Sequence, residues 1–150
     1  FKLDEPWNSE HNARLINQVP DVYQSPNHDQ PNAEGMTTYV APVGPGSVFG
    51  TKKMRFRDVP DGTSYTIILV DAGPDKAVLW TKPADLNYDD DGAGDDELID
   101  RLGEVGESFL ALFADGSVHQ LSSEIDSALL LKLFQRNDGG DVDLESLYSN

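Results

Sequence analysis

Cysteine is absent from this 150-residue chain, and basic residues are scarce, with 11 Lys and Arg against 27 Asp and Glu and a formal charge of −16. Without cysteine the chain has no thiol nucleophile, thiolate metal site or disulfide framework. The acidic balance argues against binding of nucleic acid, because phosphates are bound by Lys and Arg that displace their counterions. It argues equally against electrostatic docking on anionic lipid. Composition leaves the compartment open, since a lack of cysteine fits either redox setting.

Long apolar runs are also missing. No stretch of eighteen apolar residues is present, as a bilayer-spanning helix would need, and no signal peptide is visible. The chain begins with Phe1 rather than Met, so we expect it to be processed or cut from a longer protein. Its length predicts a single domain over 1–150 with one hydrophobic core.

Hydrophobic periodicity predicts two helices and five strands. The helices are expected at 7–19, capped by Asn8 or Ser9, and from Ser122 or Ser123 to about residue 136. The strands are expected at 36–43, 65–70, 76–81, 108–114 and 117–121. Short loops predict that the second and third strands, and the fourth and fifth, form antiparallel hairpins. The order of elements predicts an α+β fold in which an antiparallel sheet is packed by short helices.

Two acidic segments have little apolar content. Residues 86–107 carry a crowd of Asp and Glu, and we expect a mobile loop there because like charges repel and little surface can be buried. The tail at 141–150 is expected to be loose for the same reason.

Catalytic chemistry is hard to find in the sequence. His11, His28 and His119 lack the spacing of a metal-binding pair, and Ser64 lacks the second glycine of a nucleophile elbow. We therefore predict that the chain is not an enzyme, with no catalytic residues and no bound organic cofactor. A hydrolase is the weaker possibility, which a deep pocket holding a convergent His–carboxylate pair would favour.

Calcium is the one cofactor that the sequence suggests. Asp138, Asp141 and Asp143 are close together, and hard cations bind several oxygens at once. The acidic run at 89–96 does not fit the twelve-residue calcium loop. A solvated charge run is the plain alternative for both segments.

Aromatic side chains offer a possible ligand surface. Trp7, Trp80, Tyr39 and Tyr88 have the chemistry to line a sugar site, because aromatic faces stack on the apolar faces of sugar rings. Packing in the core is the alternative for Trp7 and Trp80, given their cap and strand positions.

Six short segments carry a pattern that is specific only as a set. They are Asp4-Glu5-Pro6-Trp7-Asn8-Ser9, Val22-Tyr23-Gln24-Ser25-Pro26, residues 39–46, Asp61-Gly62-Thr63-Ser64, Trp80-Thr81-Lys82-Pro83 and Phe113-Ala114-Asp115-Gly116-Ser117-Val118. In this order they resemble one family, the mainly planctomycete, prepilin-like proteins with domain of unknown function 1559. The family often has a His ten residues before the last Asp-Gly, where this chain has Val105, so no role of that His carries over.

The resemblance implies a non-enzymatic, pilin- or pseudopilin-like module of a surface structure or of type II secretion. It implies a pilin-like globular domain whose N-terminal apolar helix lies upstream of this chain, so that contact with the membrane is only through that helix. The domain would then lie outside the cytoplasm, in the periplasm or at the cell surface, and its partners would be proteins or further copies of itself. The alternative is an extracytoplasmic ligand- or calcium-binding domain.

Overall fold

The computed structural model describes residues 1–28, 35–50, 53–89 and 98–139. Within these ranges the chain forms two α-helices and eight strands. They are α1 (Glu10–Ala13), β1 (Met36–Thr37), β2 (Tyr39–Val40), β3 (Pro42–Val43), β4 (Ile67–Asp71), β5 (Val78–Leu79), β6 (Leu86–Asn87), β7 (Ser108–Phe113), β8 (Val118–Ser122) and α2 (Ser127–Phe134).

The central feature is a four-stranded antiparallel sheet in the order β2-β4-β7-β8. Strand β4 is rich in β-branched residues, and β7 alternates between buried and half-buried positions, as a strand with one core face does. A tight turn at Asp115 and Gly116 joins β7 to β8, and Gly116 has a φ of 90°, which glycine adopts without strain. The hairpin predicted between 108–114 and 117–121 is confirmed, and so is the antiparallel α+β class.

Helix α2 closes the core over one face of this sheet. The Asp126 carboxylate caps the helix by accepting a hydrogen bond from the Leu129 N–H at 3.0 Å. Leu130, Leu133 and Phe134 are fully buried in the same cluster as the inward residues of β7. The predicted apolar face is therefore correct, but the cap at Ser122 or Ser123 is wrong, because these residues lie in β8 and the turn that follows it.

The region predicted as one strand at 36–43 is divided among three sheets. Strand β1 pairs with β5, β2 joins the central sheet, and β3 pairs in parallel with β6. The break at Pro42 has a physical cause, since proline supplies no N–H to a continuing ladder. Pro42 accounts for the break between β2 and β3, whereas the break at Thr38 arises because β1 pairs with β5 and β2 with β4. The single-strand prediction is therefore wrong.

Two further predictions of local structure are wrong. The helix predicted at 7–19 is reduced to α1, followed by turns, since so short a helix is not stabilised by its own hydrogen bonds. The hairpin predicted between 65–70 and 76–81 does not form, because β2 and β7 occupy both edges of β4. Strand β5 pairs with β1 instead.

The described parts of the acidic segment contain apolar anchors. Leu86 begins β6. Leu98, which precedes a 3₁₀ turn at Ile99–Leu102, and Leu102, which ends that turn, are both buried. Residues 90–97 and the tail at 141–150 lie outside the described residues. None of the helices in the described part of the chain has the length and apolarity needed to cross a membrane.

Tyr88 links the core to the loop after β3. Its ring contacts Phe134 with centroids 5.7 Å apart, and its hydroxyl donates to the Pro45 carbonyl oxygen at 2.6 Å. Burial raises the pKa of Tyr88 to about 12. Folding therefore favours the protonated phenol, and this stabilisation is complete below the ordinary tyrosine pKa of about 10 and disappears as the pH rises through 12.

We predict that Tyr88→Phe lowers the free energy of unfolding by about 1 kcal/mol at pH 7, through loss of the hydrogen bond to Pro45. Between pH 10 and 12 the wild-type chain should lose this advantage over the variant. Urea unfolding across that range measures the difference, with Tyr65→Phe, a partly exposed tyrosine, as the control. A constant difference between wild type and Tyr88→Phe at every pH would contradict the assignment.

Candidate functional site

A buried carboxylate lies at the end of β4. Asp71 is 3% exposed and accepts hydrogen bonds from the Thr38 and Ser25 hydroxyls, each at 2.5 Å. Thr38 lies between β1 and β2, while Ser25 belongs to the loop at 20–28. A buried charge is tolerated only when it is bonded in this way. Asp71 therefore holds the loop against the sheet.

Two more side chains of the loop at 20–28 approach the same carboxylate. His28 Nε2 and Asn27 Nδ2 lie 3.5 Å from Asp71 oxygens. Beside them is a cavity of about 410 Å³, here called the carboxylate cleft. Its polar lining residues are Asn27, His28, Asp71, Glu104, Glu107, Ser108 and Gln120.

The carboxylate cleft contains the His–carboxylate pair that would favour a hydrolase. The serine beside this pair is Ser25, and its hydroxyl donates to Asp71 rather than to His28. A serine nucleophile needs its hydroxyl hydrogen-bonded to the general base. The arrangement of these three residues therefore stabilises the loop and does not form a catalytic triad.

A second cavity, of about 510 Å³, lies beside the two small sheets and is here called the aromatic cleft. The residues that give it its character are Tyr23, Tyr39, Phe49, Trp80, Lys82 and Asp85. The first four provide aromatic surface, and Tyr23 and Phe49 are 40% and 47% exposed. Lys82 and Asp85 add one charge of each sign.

Trp80 is held in place from two sides. Its indole N–H donates to the Ile16 carbonyl oxygen at 2.9 Å, and its backbone N–H donates to the Gly35 carbonyl oxygen at 3.0 Å. Gly35 has a φ of 81°, and a Cβ atom there would lie 2.3 Å from the Ile16 oxygen. Only glycine allows the N-terminal segment to approach β1 closely enough to position the indole.

The loop at 20–28 supplies the neighbouring ring. The centroids of Tyr23 and Trp80 are 5.4 Å apart, with the ring planes inclined by 37°. The Thr37 hydroxyl donates to the Tyr23 carbonyl oxygen at 2.8 Å, which ties this part of the loop to β1. Burial, and then the negative charge of Asp71, raise the pKa of Tyr39, and burial raises the pKa of the Asp85 carboxyl.

The structure brings together only part of the aromatic set predicted from the sequence. Tyr39 and Trp80 both line the aromatic cleft. Tyr88 is buried against Phe134 in the core, and Trp7 is half-buried in the N-terminal segment and lines neither cleft.

Of the three residues predicted to bind calcium, the structure describes only Asp138. The backbone N–H of Asp138 donates to the Asp61 carboxylate at 2.7 Å. Asp141 and Asp143 lie outside the described residues. Within the part of the chain that the structure describes, no three His, Asp or Glu side chains are arranged to hold a metal ion. The calcium site therefore stays a prediction.

Sequence reasoning missed the two residues on which the clefts depend most. Asp71 comes directly after the apolar run 67–70. Because that run is expected to be buried, an acidic residue next to it is expected to be buried and hydrogen-bonded as well. Tyr23 gave no such signal, because its position beside Trp80 depends on the fold of the loop at 20–28.

Comparison with known proteins gives one match. The sequence profile of the family described as "Protein of unknown function (DUF1559)" matches residues 8–107, two thirds of the chain. The chain belongs to the DUF1559 family. No curated protein matches the chain significantly, and neither does any solved structure.

The DUF1559 match covers all the residues that line the aromatic cleft, and the part of the carboxylate cleft that precedes β7. Ser25, Thr38, Asp71, Trp80 and Asp85 all lie within it, whereas α2 lies beyond its end. Val105 also lies within it and lines the carboxylate cleft. This is the position at which the resemblance leads one to expect histidine, so the cleft of this DUF1559 protein is less polar than that pattern implies.

We predict that Ser25→Ala destabilises the protein by about 1–3 kcal/mol, because it leaves an oxygen of the buried Asp71 carboxylate without its hydroxyl partner. The measurement is the midpoint of urea unfolding at neutral pH. Ser127→Ala, at the start of α2, is the matched control and should change stability far less. Equal effects of the two substitutions would show that Asp71 does not hold the loop.

Proposed function

We propose that this DUF1559 protein is a non-catalytic, pilin- or pseudopilin-like module that acts outside the cytoplasm by contacting protein partners or copies of itself. The observation that carries the proposal is an apolar face of the central sheet that α2 leaves uncovered. Leu69, Leu112 and Val118 are register neighbours on adjacent strands, so their side chains lie on the same face.

This sheet face has the character of a contact surface. Leu69 and Leu112 are half-buried, and Val118 is 58% exposed. Neighbouring apolar side chains that remain open to solvent mark interaction sites more often than isolated ones do. We take the occupant to be a second copy of the chain, as in pilin-like assembly.

The absence of a nucleophile–base contact around Asp71 supports a module without catalytic activity. Location outside the cytoplasm and attachment through an upstream apolar helix are part of the same proposal, because they follow from the prepilin-like resemblance. The strongly acidic composition, with a formal charge of −16, is consistent with a partner other than nucleic acid.

The cysteine-free sequence allows a direct test. In intact cells that produce the protein, Val118→Cys should be linked into dimers by a membrane-impermeant bis-maleimide. Glu124→Cys, at the exposed turn before α2, is the matched control and should be labelled by an impermeant monomaleimide without forming dimers.

The outcomes separate the two parts of the proposal. Labelling of either cysteine only after cell lysis would contradict a location outside the cytoplasm. Labelling of both cysteines without preferential dimer formation at position 118 would contradict self-association through the sheet face.

An extracytoplasmic ligand- or calcium-binding domain is the second candidate function. The aromatic cleft favours it, since a concave surface with several aromatic and few polar groups is typical of small-ligand sites. Calcium binding depends on a different part of the chain, the acidic cluster that begins at Asp138.

If Asp138, Asp141 and Asp143 bind calcium, the ion should raise the melting temperature, because a ligand that binds only the folded state stabilises it. Substitution of all three by Asn should remove this increase, while substitution of Asp89 by Asn should not. Calorimetric titration with calcium measures the same event directly. If calcium gave no heat of binding and no change in melting temperature, calcium binding by this domain would be contradicted.

A further inference from the structure

The aromatic cleft combines two kinds of surface that together identify a ligand class. The rings of Tyr23 and Trp80 pack against each other, with centroids 5.4 Å apart and planes inclined by 37°, and both line the cleft. Lys82 and Asp85 line the same cleft and offer a strong donor and a strong acceptor. A ligand that fits both must have an apolar face and a polar edge.

Sugar rings have this amphipathic form, since their C–H groups form flat apolar patches and their hydroxyls project from the edge. Aromatic side chains bind such patches with large contact area and little loss of conformational freedom. A hydroxyl both donates and accepts, so it can bond to the Asp85 carboxylate and to the Lys82 ammonium. An organic cation would meet the ammonium of Lys82 as a repelling charge.

The ligand is expected to carry no charge. The chain has a formal charge of −16, so an acidic polysaccharide would be repelled as it approached. Within the cleft, the opposite charges of Lys82 and Asp85 offset each other, and the Lys82 ammonium opposes the entry of a cation that the acidic chain would otherwise attract.

The cleft is also preorganised for binding. Trp80 is held by its bonds to Ile16 and Gly35, and Thr37 ties the Tyr23 backbone to β1. Rings that are already in place lose little entropy on binding. The volume of about 510 Å³ is in the range of small-ligand sites, roughly 300–1,000 Å³.

We propose that the aromatic cleft binds a short neutral oligosaccharide, which stacks on Tyr23 and Trp80 and bonds through its hydroxyls to Lys82 and Asp85. This inference rests on the second candidate function, ligand binding, and does not depend on self-association through the sheet face.

The test is calorimetric titration of the full chain with cellohexaose, xylohexaose, chitohexaose and maltohexaose, with choline as the cationic comparison. We expect saturable binding of at least one of the four oligosaccharides and none of choline. In a Trp7→Phe variant, which keeps Trp80 as the only tryptophan, the bound oligosaccharide should change the indole fluorescence.

Two pairs of variants locate the site. Tyr23→Ala should weaken binding of that oligosaccharide roughly tenfold, whereas Tyr65→Ala, a tyrosine of similar exposure outside the cleft, should leave it unchanged. Asp85→Asn should weaken it several-fold, whereas Asp89→Asn should not. Unfolding curves of all four variants verify that each is folded.

Several outcomes would overturn the inference. They are no binding of any of the four oligosaccharides, binding of choline in their place, or oligosaccharide binding that Tyr23→Ala and Tyr65→Ala weaken equally. None of these outcomes would affect the crosslinking of Val118→Cys, so failure of this inference and failure of the pilin-like proposal can be told apart.

Discussion

The Asp71 carboxylate connects parts of the chain that are far apart in sequence. It ends β4, one of the two inner strands of the central sheet, and it accepts hydrogen bonds from Thr38 near β2 and from Ser25 in the loop at 20–28. A buried charge of this kind is costly unless it is satisfied, so the loop and the sheet must come together for either to be stable. The position of the loop at 20–28 depends on this contact.

Both clefts follow from that contact. The loop that Asp71 holds provides Tyr23 to the aromatic cleft and His28 to the carboxylate cleft. Two further hydrogen bonds hold the N-terminal segment. The Thr37 hydroxyl donates to the Tyr23 carbonyl oxygen, and the Trp80 indole N–H donates to the Ile16 carbonyl oxygen. A structural carboxylate thus determines the shape of two surfaces that contact solvent.

The buried polar residues around Asp71 are hydrogen-bonded to one another. The hydroxyl of Ser25 is committed to Asp71, and the carboxylate is committed to the hydroxyls around it. Among the described residues, the surface also carries the aromatic rings of one cleft, an apolar sheet face and charged side chains that line the clefts. Groups of these kinds are common at protein interfaces and in ligand sites. They are consistent both with the proposed contact between copies and with the proposed binding of a small neutral ligand.

Local sequence was enough to predict the elements that depend on their own pattern. The alternation in β7, the Asp115-Gly116 turn and the apolar face of α2 all follow from neighbouring residues, and together they predict the α+β class. The division of residues 36–43 among three sheets could not be predicted, because it depends on which edges of β4 are already occupied. The sequence also suggested Tyr39 and Trp80 as side chains that could line a ligand site, and both line the aromatic cleft, but Tyr23 joins them only because Asp71 and Thr37 hold its loop in place. Chemistry carried by single residues was therefore determined by the sequence alone, whereas the grouping of those residues into clefts was decided by long-range hydrogen bonds that only the folded chain contains.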